Sequence, residues 1–367
     1  MKVAILGDIN SPHIQKWIIY LAKKDIEIIL ISLSTPTSNS DYPSNVKIYS
    51  LKLDNKIFQK KSDSLSKIKY ISKVKRISKI IETEKPHILH AHYATSYGLI
   101  GVLLNFHPLV ISVWGSDVFE FPRKNILYKY LFKYILLKAD IVLSTSNFMA
   151  KELILYTKKR IEVTPFGIDL NIFNPQSRLP NKSTNEITIG IIKFLEKKYG
   201  VDYLIHAFKL VSDELYNYKL RLLIVGSGSQ MDNLIKLVEE LGLKDKVEFT
   251  GKIDHENIPL YHNQLDIAVY PSKSESFGVS VIESSACAVP VIASSIGGLP
   301  EVIENGVTGI LVEPGNINKL SLVLKELIID DNKRKNLGIA GRKMVKEKYD
   351  LQKNIDQMIN IYKSIIK

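Results

Sequence analysis

Asp266-Ile-Ala-Val-Tyr-Pro-Ser-Lys-Ser-Glu275-Ser-Phe-Gly-Val-Ser-Val-Ile-Glu283 is the stretch that decides the fold of this chain. Its opening apolar run, stopped by Pro271, reads as a short buried strand, and Pro290-Val-Ile-Ala-Ser294 reads as the next one. Between them a loop carries Glu275, a Phe-Gly turn follows, and a small-residue helix is expected at Ser284-Ser-Ala-Cys-Ala288 with Glu283 in its first turn. Strand, loop, helix and strand make a parallel unit, and open parallel sheets bind ligands outside the carboxyl ends of their strands. Both carboxylates are therefore expected to face a crevice.

The same alternation runs outward in both directions. Strands are expected at Lys2 to Leu6, Glu27 to Ser32, His87 to His90, Leu109 to Val113, Ile141 to Ser144 and Ile161 to Thr164. After a polar stretch from Asn171 to Asn185, which reads as a linker, a second set follows. It comprises Ile187 to Ile192, Leu220 to Val225, Val247 to Thr250, Ile267 to Tyr270, Val291 to Ala293 and Gly309 to Val312. Helical patterns between strands are the mark of parallel sheets covered by helices. The chain's 367 residues are enough for two such domains, each with its own core. The expected fold is α/β, two doubly wound domains facing each other across a cleft, over residues 1–165 and 166–349. An amphipathic helix at 350–367 is free to pack back on the first.

Composition, 45% hydrophobic and 24% charged, is that of a soluble globular protein. The amino terminus is too short in apolar residues for a secretory signal, and no stretch approaches the roughly 20 needed to span a membrane, so a cytoplasmic protein is expected. The single cysteine, Cys287, sits among Ala and Ser and reads as a buried structural thiol. The net charge of +12 is confined to the first half: residues 1–165 hold 25 basic against 13 acidic residues, the remainder 25 against 25. The basic side chains crowd between Lys52 and Lys85, at Lys60, Lys61, Lys67, Lys69, Lys73, Lys75 and Arg76, with Ile68, Ile71, Val74, Ile77, Ile80 and Ile81 at helical spacing. This basic amphipathic segment is open to three readings: a solvated helix, a face resting peripherally on anionic membrane lipid, or a nucleic-acid surface. Nucleic acid ranks last, because only 7 of the 50 basic residues are Arg, the side chain suited to bidentate phosphate and base contacts.

Four smaller motifs carry chemistry. Lys193 and Lys198 bracket the exit from a strand ahead of Gly200 and a helix, where ammonium groups and free backbone N–H donors suit a diphosphate. Gly226-Ser-Gly228 ends the next strand without the third glycine of a dinucleotide fingerprint, and reads as a tight turn. Gly297-Gly298-Leu299-Pro300 puts slender backbone near Glu275. In the first half, His90-Ala-His92 ends one strand and Trp114-Gly-Ser-Asp117 the next; alternation predicts one His inward and one at the site, so no metal is assigned. Asp117 is either a helix cap or a site residue. Two carboxylates also suit glycoside hydrolysis, but a hydrolase has no use for the neighbouring diphosphate cradle.

Taken together, Val247-Glu-Phe-Thr-Gly251-Lys252, Asp266-Ile-Ala-Val-Tyr-Pro-Ser272, the Glu275 to Glu283 run, Gly297-Gly-Leu-Pro-Glu301 and Asn305-Gly-Val-Thr-Gly309 resemble, in that order, the retaining glycosyltransferases of family 4. The resemblance covers nearly the whole chain and implies the GT-B fold, a pair of Rossmann-like domains. It further implies transfer from a nucleotide-diphosphate sugar, a UDP-sugar or else GDP-mannose, to a glycan or lipid-linked acceptor. By resemblance Glu283 binds the donor ribose and Glu275 the transferred sugar beside the amides of Gly297, Gly298 and Leu299. Lys193 and Lys198 meet the diphosphate, Gly226 and Lys252 line the nucleotide site, and His92 lies near the sugar. No Asp-x-Asp occurs in the chain, so no metal and no cofactor are expected. A sugar-nucleotide epimerase on the same fold and a donor-binding subunit without turnover are the competing readings.

Two departures from the family pattern stand out. Lysine occupies the first cationic position, with one extra residue before Gly200. The amino-terminal loop, Gly7-Asp8-Ile-Asn10-Ser11-Pro-His13, lacks the family's paired glycines.

Overall fold

The computed structural model describes every residue except 38–40, 54–67, 176–185 and 367. They form two compact units, Met1–Phe166 with Gln352–Lys367, and Gly167–Leu351. In the first, the strands are β1 Lys2–Leu6, β2 Glu27–Ser34, β3 Val46–Leu53, β4 Ile88–His92, β5 Leu109–Val113, β6 Ile141–Ser144 and β7 Ile161–Val163. They lie in the order β3-β2-β1-β4-β5-β6-β7, every pair parallel. The strands β4, β5 and β6 are buried along their whole length, as their unbroken apolar character requires of a sheet covered on both faces.

The strand β3 was not expected from the sequence. Among the described residues it pairs only with β2; it buries Leu51 alone and alternates Lys and Tyr with aliphatics, so it lacks the continuous apolar run of an inner strand. Lys52 belongs to this strand and not to the basic segment after it. That segment is helical at Ile68–Ile71 and Val74–Glu84, with Tyr70, Ile77 and Ile81 in the core. Lys60, Lys61 and Lys67 lie outside the described residues. The carboxyl-terminal helix, Leu351–Ile365, is tied to this unit by Asn354 and Gln357 amides donating to the carbonyls of Pro165 (2.8 Å) and Val163 (2.9 Å).

The second unit holds β8 Glu186–Ile192, β9 Lys219–Val225, β10 Val247–Gly251, β11 Ile267–Tyr270, β12 Val291–Ser294 and β13 Ile310–Val312, in the parallel order β10-β9-β8-β11-β12-β13. In each sheet the chain first builds outward in one direction and then returns to the other side of its first strand. The reversal splits the loops apart at the carboxyl ends of β1 and β4, and of β8 and β11, which is where such sheets take ligands. Of the expected linker, residues 176–185 lie outside the described residues. Among the described residues no helix is long and apolar enough to cross a membrane.

Candidate active site

At the switch point of the second sheet, Lys193 leaves β8 and the loop bearing Glu275 leaves β11. The two side chains meet: Lys193 Nζ donates to Glu275 Oε2 at 2.6 Å, with the side chains only 11% and 13% exposed. Burial by itself would drive the ammonium's pKa down, but the Glu275 carboxylate, followed by the Tyr199 ring and the more distant charge of Glu283, holds it above the ordinary lysine value. The ammonium also lies 4.6 Å from the centroid of the Tyr199 ring. Lys198 is exposed, 5.2 Å from the same ring, and its carbonyl accepts the Lys273 N–H.

Both glycine motifs lie beneath the backbones of these residues. A Cβ on Gly226, at φ +135, would stand 2.0 Å from the Lys193 carbonyl oxygen. One on Gly297, at φ +60, would stand 1.9 Å from that of Glu275. These glycines are needed because another chain segment crosses them at van der Waals distance. The amides are partly engaged within the fold: Gly298 N–H donates to the Glu275 carbonyl, Leu299 N–H to Ile296, and Gly226 N–H to Gly251. Lys252 follows that Gly251 at the end of β10 and is exposed.

Glu283 does not sit in the first turn of a helix beginning near Ser284. The helix is Val279–Ala286, entered through Gly278 at φ +110, and Glu283 lies in its second turn, buried. A positive-φ glycine directly after buried Phe277 lets the chain turn straight into helix, which moves the start upstream. Behind the carboxylate stands a residue the sequence reading did not single out, the fully buried His262. Its Nδ1 lies 2.9 Å from Ser284 Oγ, which also lies 2.8 Å from the Tyr270 hydroxyl, and its Nε2 is 3.6 Å from Glu283 Oε2. One histidine in Leu-Tyr-His-Asn carries no sequence signal; only packing brings it to Glu283. Cys287 is buried, and the Asn263 amide approaches its sulfur at 3.7 Å.

In the other unit, His90 and His92 both lie in the core at the end of β4. His90 Nδ1 contacts the Tyr362 hydroxyl at 2.6 Å and Nε2 contacts Ser112 Oγ at 2.7 Å, so both of its nitrogens are occupied. Neither ring nitrogen of His92 has a hydrogen-bond partner among the described residues, although the ring packs 4.0 Å from His90 and 5.6 Å from Trp114. Such buried, unsatisfied nitrogens call for a ligand or a functional role. Alternation thus does not separate an inward from a site histidine here; both are inward, and satisfaction distinguishes them. Next in sequence, Tyr93 adopts φ +76, strained for an aromatic residue, and opens a π-helical turn to Gly98. Asp117 is fully buried, at the second position of the short helix Ser116–Phe119. Its carboxylate accepts the N–H groups of Ala94, Trp114 and Gly115 at 2.9–3.0 Å, clamping the loop after β4 to the loop after β5.

Burial lowers the His92 pKa to about 3, and burial with the neighbouring His92 charge lowers His90 well below its ordinary value. Both are neutral in the folded state. Their contribution to stability is therefore complete above the unfolded value near 6.5 and declines as pH falls below it, for His92 down to about 3. At pH 5 the His92 share of the loss is about 2 kcal/mol. Thermal unfolding at pH 7.5 and pH 5 should show the wild type losing that much more than His92→Asn; parallel losses would mean the imidazole is not buried neutral.

The "Glycosyl transferases group 1" family model matches residues 174–344, and the "Glycosyl transferase 4-like" model matches residues 2–146. An uncharacterized glycosyltransferase of Methanocaldococcus jannaschii is 30% identical over 292 residues, 78% of this chain and 78% of that protein. The capsular polysaccharide biosynthesis glycosyltransferase CapM of Staphylococcus aureus is 26% identical over 98% of this chain and 95% of its own length. Among solved structures, Anabaena HepE in complex with UDP superposes over 99% of this chain and 100% of its own, with a TM-score of 0.77 at 18% identity, a likeness of fold.

Proposed function

The chain belongs to the group 1 glycosyl transferases and is a glycosyltransferase; from that premise we propose that it moves a sugar, with retention, from a UDP-sugar to a lipid-linked or surface-glycan acceptor without a metal ion. The observation that carries this reading is the buried Lys193–Glu275 pair at the sheet's switch point, followed in the chain by the helix whose second turn carries Glu283. Metal independence rests on the absence of an Asp-x-Asp pair from the sequence and on the cations available for the diphosphate. Support for the donor comes from HepE, whose structure holds UDP, and for the acceptor class from CapM, which serves capsular polysaccharide synthesis.

In this reading the bond from the anomeric carbon to the diphosphate oxygen breaks and a bond to the acceptor hydroxyl forms on the same face. The hydroxyl proton passes to the departing phosphate oxygen, so no protein nucleophile is needed. The protein's part is to stabilise charge growing on the diphosphate, through Lys193 and Lys198, and to orient the sugar through Glu275 and the ribose through Glu283.

The test is a thermal-shift panel of UDP, GDP, ADP and CMP, free and as sugar conjugates, with and without chelator. A ligand at 100 times its Kd adds about 2.7 kcal/mol of apparent stability. UDP and its sugars are expected to stabilise the protein, to do so equally in chelator, and to lose the effect in Glu283→Ala. Stabilisation by GDP in place of UDP would replace the donor, stabilisation abolished by chelator would end the metal-independent reading, and a folded protein indifferent to every nucleotide would end the proposal.

A further inference from the structure

The helix Ile126–Lys138, Ile-Leu-Tyr-Lys-Tyr-Leu-Phe-Lys-Tyr-Ile-Leu-Leu-Lys, is apolar on two opposite faces. One face, with Phe132, Ile135 and Leu136, is buried in the core of the amino-terminal unit. On the opposite face Leu127, Tyr130, Tyr134 and Leu137 recur at intervals of three, four and three, the spacing of a single helical stripe, and are 46–76% exposed. Single exposed apolar residues are ordinary, but a continuous stripe on a helix already anchored by its other face marks an interaction surface.

The charges around the stripe say what covers it. Lys129, Lys133 and Lys138 lie along the same helix, Lys124 precedes it, and no acidic residue occurs in the sequence from Phe121 to Ala139; Arg123 is paired with Glu152 at 2.7 Å. Lys138 holds its ammonium 5.8 Å from the Tyr134 ring centroid, an arrangement of basic and aromatic groups suited to the level of lipid headgroups. The whole excess of +12 lies in the half of the chain that contains this helix. Just beyond the next helix, Asn147–Leu153, Ile154 and Leu155 are exposed as well, and the adjoining Tyr156 ring packs on Phe132 at 5.2 Å. At 13 residues the helix is too short to cross a bilayer, and its buried face leaves only one side to give to lipid.

We propose that Ile126–Lys138 is the surface by which this protein rests on an anionic lipid bilayer, its Leu and Tyr stripe entering the boundary between headgroups and acyl chains and its lysines meeting the headgroup charge. In the basic segment between Lys52 and Lys85, Ile77 and Ile81 face the core and Ile71 is exposed. The inference rests on this surface alone and stands whether or not the donor is a UDP-sugar.

Flotation of the full chain with vesicles of phosphatidylcholine, alone and mixed with phosphatidylglycerol, tests it. Recovery is expected on the mixed vesicles only and should fall as salt rises. Leu127→Ser/Leu137→Ser, and separately Lys129→Gln/Lys138→Gln, should each lower partitioning roughly tenfold, with far-ultraviolet circular dichroism and thermal midpoint unchanged. Leu322→Ser and Ile339→Ser, at exposed positions of the other unit, should leave it unaltered. Equal recovery of the wild type and the stripe variant would overturn the proposal. So would a stripe variant that only converts an oligomer to monomer in sedimentation, which would assign the face to a second copy of the chain.

Discussion

Replacing Glu275 with Ala is expected to lower sugar transfer at least a hundredfold and to destabilise the carboxyl-terminal unit by about 3–5 kcal/mol, because it leaves the Lys193 ammonium buried without its partner. The pair is closed at 2.6 Å with both side chains close to nine-tenths buried, so water cannot take over the role of the carboxylate. Lys193→Met leaves the converse problem, a buried carboxylate without its cation. Removing both, in Lys193→Met/Glu275→Leu, should recover a large part of the stability and none of the activity, since two apolar groups of similar volume incur no charge-burial cost. A double-mutant cycle on thermal midpoint and on turnover separates the two roles. Stability losses that simply add, or a double variant that regains turnover, would show that the pair is neither coupled nor part of the chemistry. The raised pKa of Lys193 places the loss of its contribution at alkaline pH: the contribution is complete below about 10.4 and disappears as pH rises through the higher folded value. No neutral-range pH dependence should come from Lys193.

Gly297→Ala should be as damaging, for a steric reason. Its backbone is at φ +60, and the added methyl would lie 1.9 Å from the Glu275 carbonyl oxygen, an approach that only displacement of one loop can relieve. Gly242 provides the control, because it has φ +66 with nothing within 4 Å of the same added atom. Gly242→Ala carries the left-handed strain alone, about 1–2 kcal/mol, and should lower the thermal midpoint by roughly 2–8 °C. Gly297→Ala should exceed that several-fold and abolish stabilisation by donor nucleotide, since moving the Glu275 loop also opens the pair with Lys193. Equal effects of the two substitutions would mean that the close crossing is not maintained in solution.

Much of the fold could be read from the chain because inner strands of a parallel sheet are buried on both faces and must be apolar without interruption. Ile141–Ser144 and Ile267–Tyr270 have the limits expected from their apolar runs alone. The edge strand Val46–Leu53 escaped because it is half exposed, and a half-exposed mixture of Lys, Tyr and aliphatics looks like a loop. The start of the Glu283 helix was misplaced for a related reason: Val279 and Ser280 are poor helix formers, and it is Gly278 at φ +110, fixed by its surroundings, that directs them into helix.

The sequence by itself determined the two parallel sheets, the family, and the identity of the polar residues at the strand ends, since each of these depends on residue type and near-neighbour spacing. Tertiary structure decided which of those residues meet. Lys193 and Glu275 are 82 positions apart and become partners because β8 and β11 are neighbours at the reversal of the sheet. His262 reaches Glu283 because its helix, Ile258–Gln264, packs on the helix Val279–Ala286, and the two histidines of β4 differ in which of them finds partners among the described residues. The helix Ile126–Lys138 is the clearest case. Apolar on two faces, its sequence cannot say which of them the protein covers, because burial depends on what packs against a residue as well as on its hydrophobicity.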